Sequence, residues 1–233
     1  LKLAARRVVF GKYLNCGQTC VAPDYICCHT SVKDAFIKEI KKQILLQFGT
    51  HPLDNPDYGK IINKKHFDRI CALIDNNKVV SGGHTNSETL RIEPTVMDPV
   101  TYDDPVMQEE IFGPIMPILT YDSLDKLIHK INSMPHPLAL YFFTRNKTAA
   151  RKVTSQCQFG GGCINDTVIH LATSEMPFGG FGESGMGGYH GKEGFYTFSH
   201  SKSIVDKKTW LDLPMRYQPY TKFNNKLLRF FLR

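Results

Sequence analysis

The 233-residue sequence predicts an α/β protein on a parallel sheet, and two observations carry that prediction. Short β-branched and aromatic runs alternate with amphipathic segments of ~10–15 residues, the spacing of βαβ units. Hydrophobic residues make up 42% and charged residues 22%, the balance of a globular chain with a substantial core.

In order along the chain, LKLAARRVVFGKYL has helical periodicity, with Leu3, Arg7 and Phe10 at i, i+4 and i+7. APDYICCH reads as a strand started by Pro23. Ser31 and Asp34 fit the S-x-x-D start of a helix that carries Phe36, Ile40 and Ile44 on one stripe. KKHFDRICALIDNN continues as a helix into the strand-like KVVSGG and RIEPTVM. PIMPILTY, PLALYFFTR and GGGCIND then read as strands, separated by the helical SLDKLIHKINSM and KTAARKVTSQC. A parallel sheet of this kind is expected to present functional residues in loops at the carboxyl ends of its strands.

Composition narrows the function. The net charge of +7 suggests nucleic acid at first, but residues 202–233 hold eight Lys/Arg against Asp206 and Asp212, a net of +6. The body is therefore nearly neutral, and no nucleic-acid partner is expected. Seven cysteines, two of them adjacent at Cys27 and Cys28, do not form a secreted disulfide pattern, so a reducing, cytoplasmic setting is expected. No CxxC pair occurs, and no metal site is expected. No apolar run approaches the ~18 residues of a membrane-spanning helix. The start at Leu1, already in a helix and without an initiator Met, suggests a chain cut from something longer.

Three stretches carry candidate chemistry. In GKYLNCGQTCVAPDY, Cys16 and Cys20 stand among polar, turn-prone residues between a helix and a strand. A connection of that kind can hold a thiol in a cleft, against the plainer reading of a small buried group. A papain-like nucleophile motif would need Ser or Ala where Gln18 and Thr19 stand, and an aromatic residue at Val21. In PVMQEEIFGP, the adjacent Glu109 and Glu110 alone would be an ordinary solvated pair, with Phe112 offering a ring nearby. In PFGGFGESGMGGYHG, Gly180, Gly182 and Gly185 spell G-x-G-x-x-G, with Asp206 further on. No strand precedes them and no helix follows directly, so a close-packed loop is the better reading than a dinucleotide fingerprint.

Taken together, NCGQTCVAPDY, PVMQEEIFGPIMPI, PLALYFF and PFGGFGESGMGGYHGKEGFYTFSH resemble the aldehyde dehydrogenase superfamily, specifically its class 3 branch. The likeness covers residues 1 to about 205 in order and looks like only the C-terminal half of such an enzyme. It implies a catalytic domain over residues 1–200 and a basic bridging segment and tail over 201–233, with the nucleotide-binding domain absent. It implies Cys20 as the nucleophile, attacking an aldehyde to give a thiohemiacetal and then a thioester, with the Cys20 N–H as part of the oxyanion hole. Cys16 becomes a wall residue or oxidation partner. Glu110 takes the position that binds the nicotinamide ribose of NAD or NADP, and Phe112 the position beside the nicotinamide. Asn165 lies in a segment lining the site, without a catalytic role. The intact enzyme is expected to be a homodimer, and this chain alone to be inactive.

A non-enzymatic, thiol-bearing binding or assembly module is the alternative. In the tail, Lys222, Lys226, Arg229 and Arg233 form a charged stripe beside Phe223, Leu227 and Phe230 or Phe231. That pattern suits either a peripheral membrane contact or docking on protein.

Overall fold

Four strands form the central sheet in the order β1-β6-β5-β2. They are β1 (Ile26–His29), β2 (Val79–Ser81), β5 (Thr95–Met97) and β6 (Ile115–Tyr121). This computed structural model describes residues 1–231, and Arg233 of the tail stripe lies outside the described residues. β6 runs parallel to both neighbours, pairing Ile26 with Ile118 and Val96 with Met116. The edge strand β2 is antiparallel to β5, so the sheet is parallel-dominated rather than wholly parallel. RIEPTVM gives two strands, because Pro94 has no N–H and the chain turns there. β4 (Arg91–Ile92) pairs with β3 (Thr85–Asn86), whereas β5 joins the main sheet. β7 (Ala139–Phe142) and β8 (Gly161–Ile164) form a separate parallel pair.

Side-chain alternation along β6 explains the layers. Met116 and Ile118 enter one core with Val9, Ile40 and Val96, on the side covered by α1 (Lys2–Tyr13) and α2 (Lys33–Phe48). Ile115 and Leu119 enter the other with Ile61, Ile70 and Met97, beside α3 (Lys64–Ala72). Burying each such side chain contributes about 1.5–3 kcal/mol relative to exposure. A third, smaller cluster joins Ile128 of α4 (Leu124–Asn132) and Val153 of α5 (Lys147–Gln156) to β7.

The helix read from Leu3, Arg7 and Phe10 forms as α1, which leaves Leu3 and Phe10 56% and 47% exposed and buries Ala5, Val8, Val9 and Lys12. One local expectation is corrected. The Ser31–Asp34 box does not form. Ser31 Oγ bonds His29 Nδ1 at 2.8 Å, and a 3₁₀ turn over Thr30–Val32 leads into α2, which has no side-chain cap.

The glycine-rich segment is a closed loop. Phe178 and Tyr189 exchange backbone bonds of 2.8 and 2.9 Å, and a Cβ on Gly179 would sit 2.2 Å from Gly187 O. Such an approach admits only glycine. No strand leads directly into the motif, a short 3₁₀ turn over Gly182–Ser184 lies inside it, and α6 (Gly191–Thr197) follows only later.

The loop is clasped by His136, whose Nδ1 lies 2.8 Å from Glu183 Oε2 while Nε2 meets Gln158 and Phe181 packs on the ring. Glu183 and then Gln158 raise the His136 pKa, and His136 in turn lowers Glu183 to about 2. The imidazolium's contribution is present below its ordinary value and lost as pH rises through the raised one. The carboxylate's contribution is present above its ordinary value and lost as pH falls toward about 2. The clasp is therefore strongest in mildly acidic solution. An NMR titration is expected to place the His136 midpoint above the usual histidine value, and Glu183→Gln to bring it down. A midpoint unmoved by that change would mean the pair does not form.

The chain divides into two units, Leu1–Phe198 and Ser199–Arg233. In the second, Asp212 accepts from Lys207, Tyr217 and the Leu213 N–H, and α7 (Lys222–Phe231) ends the described chain. Phe223 and Phe230 of α7 are 69% and 75% exposed.

Candidate functional site

The last turn of α1 delivers the chain into three successive left-handed residues, Asn15 (φ 51°), Cys16 (φ 56°) and Gly17 (φ 72°). Glycine and asparagine accept that conformation, while Cys16 holds it at about 1–3 kcal/mol of strain. Gln18 stabilises the turn: its Nε2 donates to Asn15 O (3.1 Å) and Lys60 O (3.0 Å), and its Oε1 accepts from Ile62 N (3.0 Å). Asn15 Nδ2 returns a bond to Gln18 O at 3.1 Å. The polar residues before Cys20 thus frame the loop with hydrogen bonds.

Cys20 stands on the next turn, closed by Ala22 N to Thr19 O at 2.9 Å. Val21 is buried, and its carbonyl accepts from the Tyr141 hydroxyl at 2.7 Å. The turn is thereby pinned on both sides of an exposed thiol. Burial pushes the Cys16 thiol up to about 11, which disfavours its thiolate. Burial raises Cys27, Cys28, Cys71, Cys157 and Cys163 as well. Cys16 is buried, with its Sγ 3.2 Å from where a Gly59 Cβ would be.

The loop that carries Glu110 and Phe112 packs directly against the cysteine loop. A Cβ on Gly17 would lie 2.3 Å from Gly113 O, so only a glycine lets the two backbones meet. Arg69 grips this second loop through Glu109 Oε1 (3.0 Å), Glu110 O (3.3 Å) and Ile111 O (2.5 Å). Asp24 Oδ1 accepts the Ile111 N–H at 3.0 Å, tying it to the segment after Cys20. Phe112 holds a left-handed φ of 46° and is 41% exposed, presenting its ring. Glu110 is on the surface, yet desolvation and then Asp24 raise its pKa, with Arg69 and Lys12 acting the other way.

Both loops precede their strands, β1 and β6, so this part of the site lies at the amino ends of the parallel pair rather than the carboxyl ends. At the carboxyl ends the chain runs straight into the turn before α2 and toward α4.

Asn165 is structural. Its amide bonds Thr144 N and Thr144 O at 2.7 and 2.8 Å, and its carbonyl accepts from Arg7. Tyr141 gave no motif signal, since LALYFF reads simply as an apolar strand. Burial is the largest cause of its raised pKa, and Cys163 and Cys20 add to it. His170 packs 5.8 Å from the Tyr141 ring, with Cys163 Sγ 3.6 Å from its Nδ1.

The structure thus brings an exposed thiol on a hydrogen-bonded turn into the same region as a loop that offers a carboxylate and an aromatic ring. The sequence matches the Aldehyde dehydrogenase family over residues 1–204, and the chain belongs to that family. It is 49% identical over 222 residues to the 4,4'-diaponeurosporen-aldehyde dehydrogenase of Staphylococcus aureus, covering 94% of this chain and 48% of that protein. It is 42% identical over 234 residues to rat aldehyde dehydrogenase family 3 member A2, covering 100% of this chain and 48% of that one. A substrate-bound structure of Staphylococcus aureus AldH superimposes with a TM-score of 0.95 at 47% identity, over 100% of this chain and 51% of that chain. The chain therefore spans about half the length of the relatives it matches.

Proposed function

We propose that this chain is the catalytic half of an NAD(P)-dependent aldehyde dehydrogenase that converts aldehydes to carboxylic acids. The observation that carries the reading is Cys20: an exposed thiol on a turn pinned by Tyr141 and framed by Gln18. Its thiolate attacks the aldehyde carbon, forming the C–S bond of a thiohemiacetal, and its own N–H receives the oxyanion. Loss of hydride turns that adduct into a thioester. Water then adds to the acyl carbon, the C–S bond breaks, and a carboxylate leaves with release of a proton.

The residues present fit one side of a nicotinamide ribose site, with Glu110 to accept ribose hydroxyls and Phe112 to pack beside the ring. NAD or NADP, when bound, supplies the hydride acceptor. The rest of that site, and the base for the water step, belong in this reading to a preceding domain, so the 233-residue chain alone is inactive. Seven cysteines without a disulfide support a reducing, cytoplasmic setting, and the family likeness supports a homodimer.

Limited iodoacetamide labelling with peptide mapping tests the assignment. Cys20 is expected to react first of the seven thiols, and in the full-length enzyme an aldehyde with NAD(P) is expected to slow its labelling. Preferential labelling of Cys27 or Cys71 would remove the basis for Cys20. A fast-reacting Cys20 indifferent to aldehyde and cofactor would favour a non-enzymatic thiol module.

The tail adds a peripheral contact to this proposal. α7 places Lys222, Lys226 and Arg229 beside Phe223 and Phe230, a pattern suited to an anionic lipid surface. Among the described residues no helix is long and apolar enough to cross a membrane. Co-sedimentation with anionic vesicles is expected to be salt-sensitive and lost without residues 218–233. Equal pelleting of both forms would leave docking on protein as the role of the stripe.

A further inference from the structure

The Cys20 turn is gripped from outside by a strand of a different sheet. It runs from Thr19 to Ala22 and closes on Ala22 N to Thr19 O at 2.9 Å, which puts Cys20 and Val21 at its two central positions. Val21 buries its side chain and offers its carbonyl to the Tyr141 hydroxyl, 2.7 Å away. Tyr141 belongs to the β7–β8 pair, whereas the turn leads into β1 of the central sheet. A phenol has one O–H proton to give. Tyr141 gives it to Val21 O, so this hydroxyl holds the turn and is not left over as a proton donor to a substrate.

Tyr141 is in turn braced to the helix that delivers the turn. It pairs in register with Cys163 of β8, and the His170 ring meets its own at 5.8 Å. Where β8 ends, the chain fastens to α1. Arg7 donates to Asn165 O and has its Nε 3.5 Å from Asp166 Oδ2, and Thr167 Oγ1 donates to Arg7 O at 2.9 Å. A Cβ on Gly11 would stand 2.3 Å from Thr167 Oγ1, so helix and loop touch without slack. α1 therefore carries the Cys20 turn beyond its end and the Tyr141 strand pair along its length. The bond from Tyr141 to Val21 closes that circuit.

Addition of a thiolate to a carbonyl needs two groups in register: the sulfur on the carbon, and an N–H donor where the oxyanion develops. In the proposed reaction both belong to Cys20. A turn closed only by its own internal bond can still rock about the line through its ends, and its N–H swings with it. The Tyr141 bond removes that freedom.

We infer that Tyr141 is a positioning residue for the aldehyde step: by fixing Val21 O it keeps the Cys20 N–H aimed at the developing oxyanion while the sulfur faces the carbon. The inference rests on the proposed function, since it needs an aldehyde at Cys20.

The test compares two reactions of the same sulfur in the full-length enzyme. Alkylation by iodoacetamide displaces iodide and develops no oxyanion, whereas addition to an aldehyde does. Tyr141→Phe removes the hydroxyl and keeps the ring. It is expected to lower kcat/KM for a medium-chain aldehyde by about tenfold, the scale of one hydrogen bond, while the iodoacetamide rate of Cys20 stays within about threefold of wild type. Replacement of Tyr141 by para-aminophenylalanine returns an N–H donor to the same place and is expected to recover most of the loss. Should Tyr141→Phe fail to fold, replacement by para-fluorophenylalanine, which fills the hydroxyl's space without donating, carries the same comparison.

An unchanged kcat/KM in a folded Tyr141→Phe enzyme would overturn the inference. So would equal falls in kcat/KM and alkylation together with a lower melting temperature, which is the mark of a hydroxyl that only supports the fold. A wild-type enzyme that oxidises no aldehyde, or one that does so without Cys20, would defeat the proposed function and this inference with it. The wild-type and Cys20→Ala arms tell that failure from the failure of Tyr141 alone.

Discussion

Replacing Cys20 with Ala in the full-length enzyme is expected to lower NAD(P)-dependent aldehyde oxidation by at least about a thousandfold, because in the proposed mechanism both intermediates, the one that loses hydride and the one that water cleaves, are bonded to that sulfur. Cys16 cannot take over. It is buried, its thiol is held at about 11, and its Sγ faces Gly59 rather than the exposed turn. The fold is expected to survive, since Cys20 is exposed and the turn around it is held by Val21, Tyr141 and Gln18. Steady-state rates with a medium-chain aldehyde, beside circular dichroism and cofactor titration of the same preparation, separate lost chemistry from lost structure. Glu110→Gln is expected to behave otherwise, slowing hydride transfer while leaving Cys20 labelling by aldehyde-like electrophiles largely intact. A Cys20→Ala enzyme with more than about a tenth of wild-type turnover would assign the chemistry elsewhere.

What the sequence disclosed of this site, and what it hid, follows from the range of the interactions. The alternation of strands and helices is local, and nearly every predicted element exists near its predicted place. Cys20, Glu110 and Phe112 stand out as candidates because they sit in short motifs that resemble a family. The contacts around them are not legible there. Tyr141 reaches Val21 across 120 residues, and nothing in LALYFF distinguishes a hydroxyl that pins the Cys20 turn from one that faces solvent. Lys12 was invisible for the opposite reason: a lysine in a last helical turn fits local rules so well that its burial could not be inferred. The antiparallel edge strand β2 and the amino-end location of the two loops depend on sheet register, which alternation alone does not encode.

Gly17→Ala is expected to destabilise the Leu1–Phe198 unit by about 2–4 kcal/mol, adding backbone strain to a steric clash. Gly17 holds φ at +72°, and a Cβ there would stand 2.3 Å from Gly113 O and 2.7 Å from Gly113 C. Both are backbone atoms of a loop anchored by Arg69 and Asp24, so no side chain can swing aside to make room. For a unit of this size the loss corresponds to a melting temperature lower by roughly 5–15 °C. The molecule supplies its own control. Gly49 holds φ at +81° and ψ at −173°, a backbone region that is essentially glycine's own, with nothing within 4 Å of an added methyl, so Gly49→Ala carries a conformational cost without a clash, about 1–3 kcal/mol. The comparison sets a glycine whose methyl would meet open space against one whose methyl would meet the Glu110–Gly113 loop. The functional consequence is also distinct: Gly17→Ala is expected to slow Cys20 alkylation as the turn shifts, whereas Gly49→Ala, at the end of α2, leaves it alone. A Gly17→Ala protein with unchanged melting temperature and unchanged Cys20 alkylation would mean that the two loops do not meet as described, and a site assembled from Cys20 on one and Glu110 on the other would lose its physical basis.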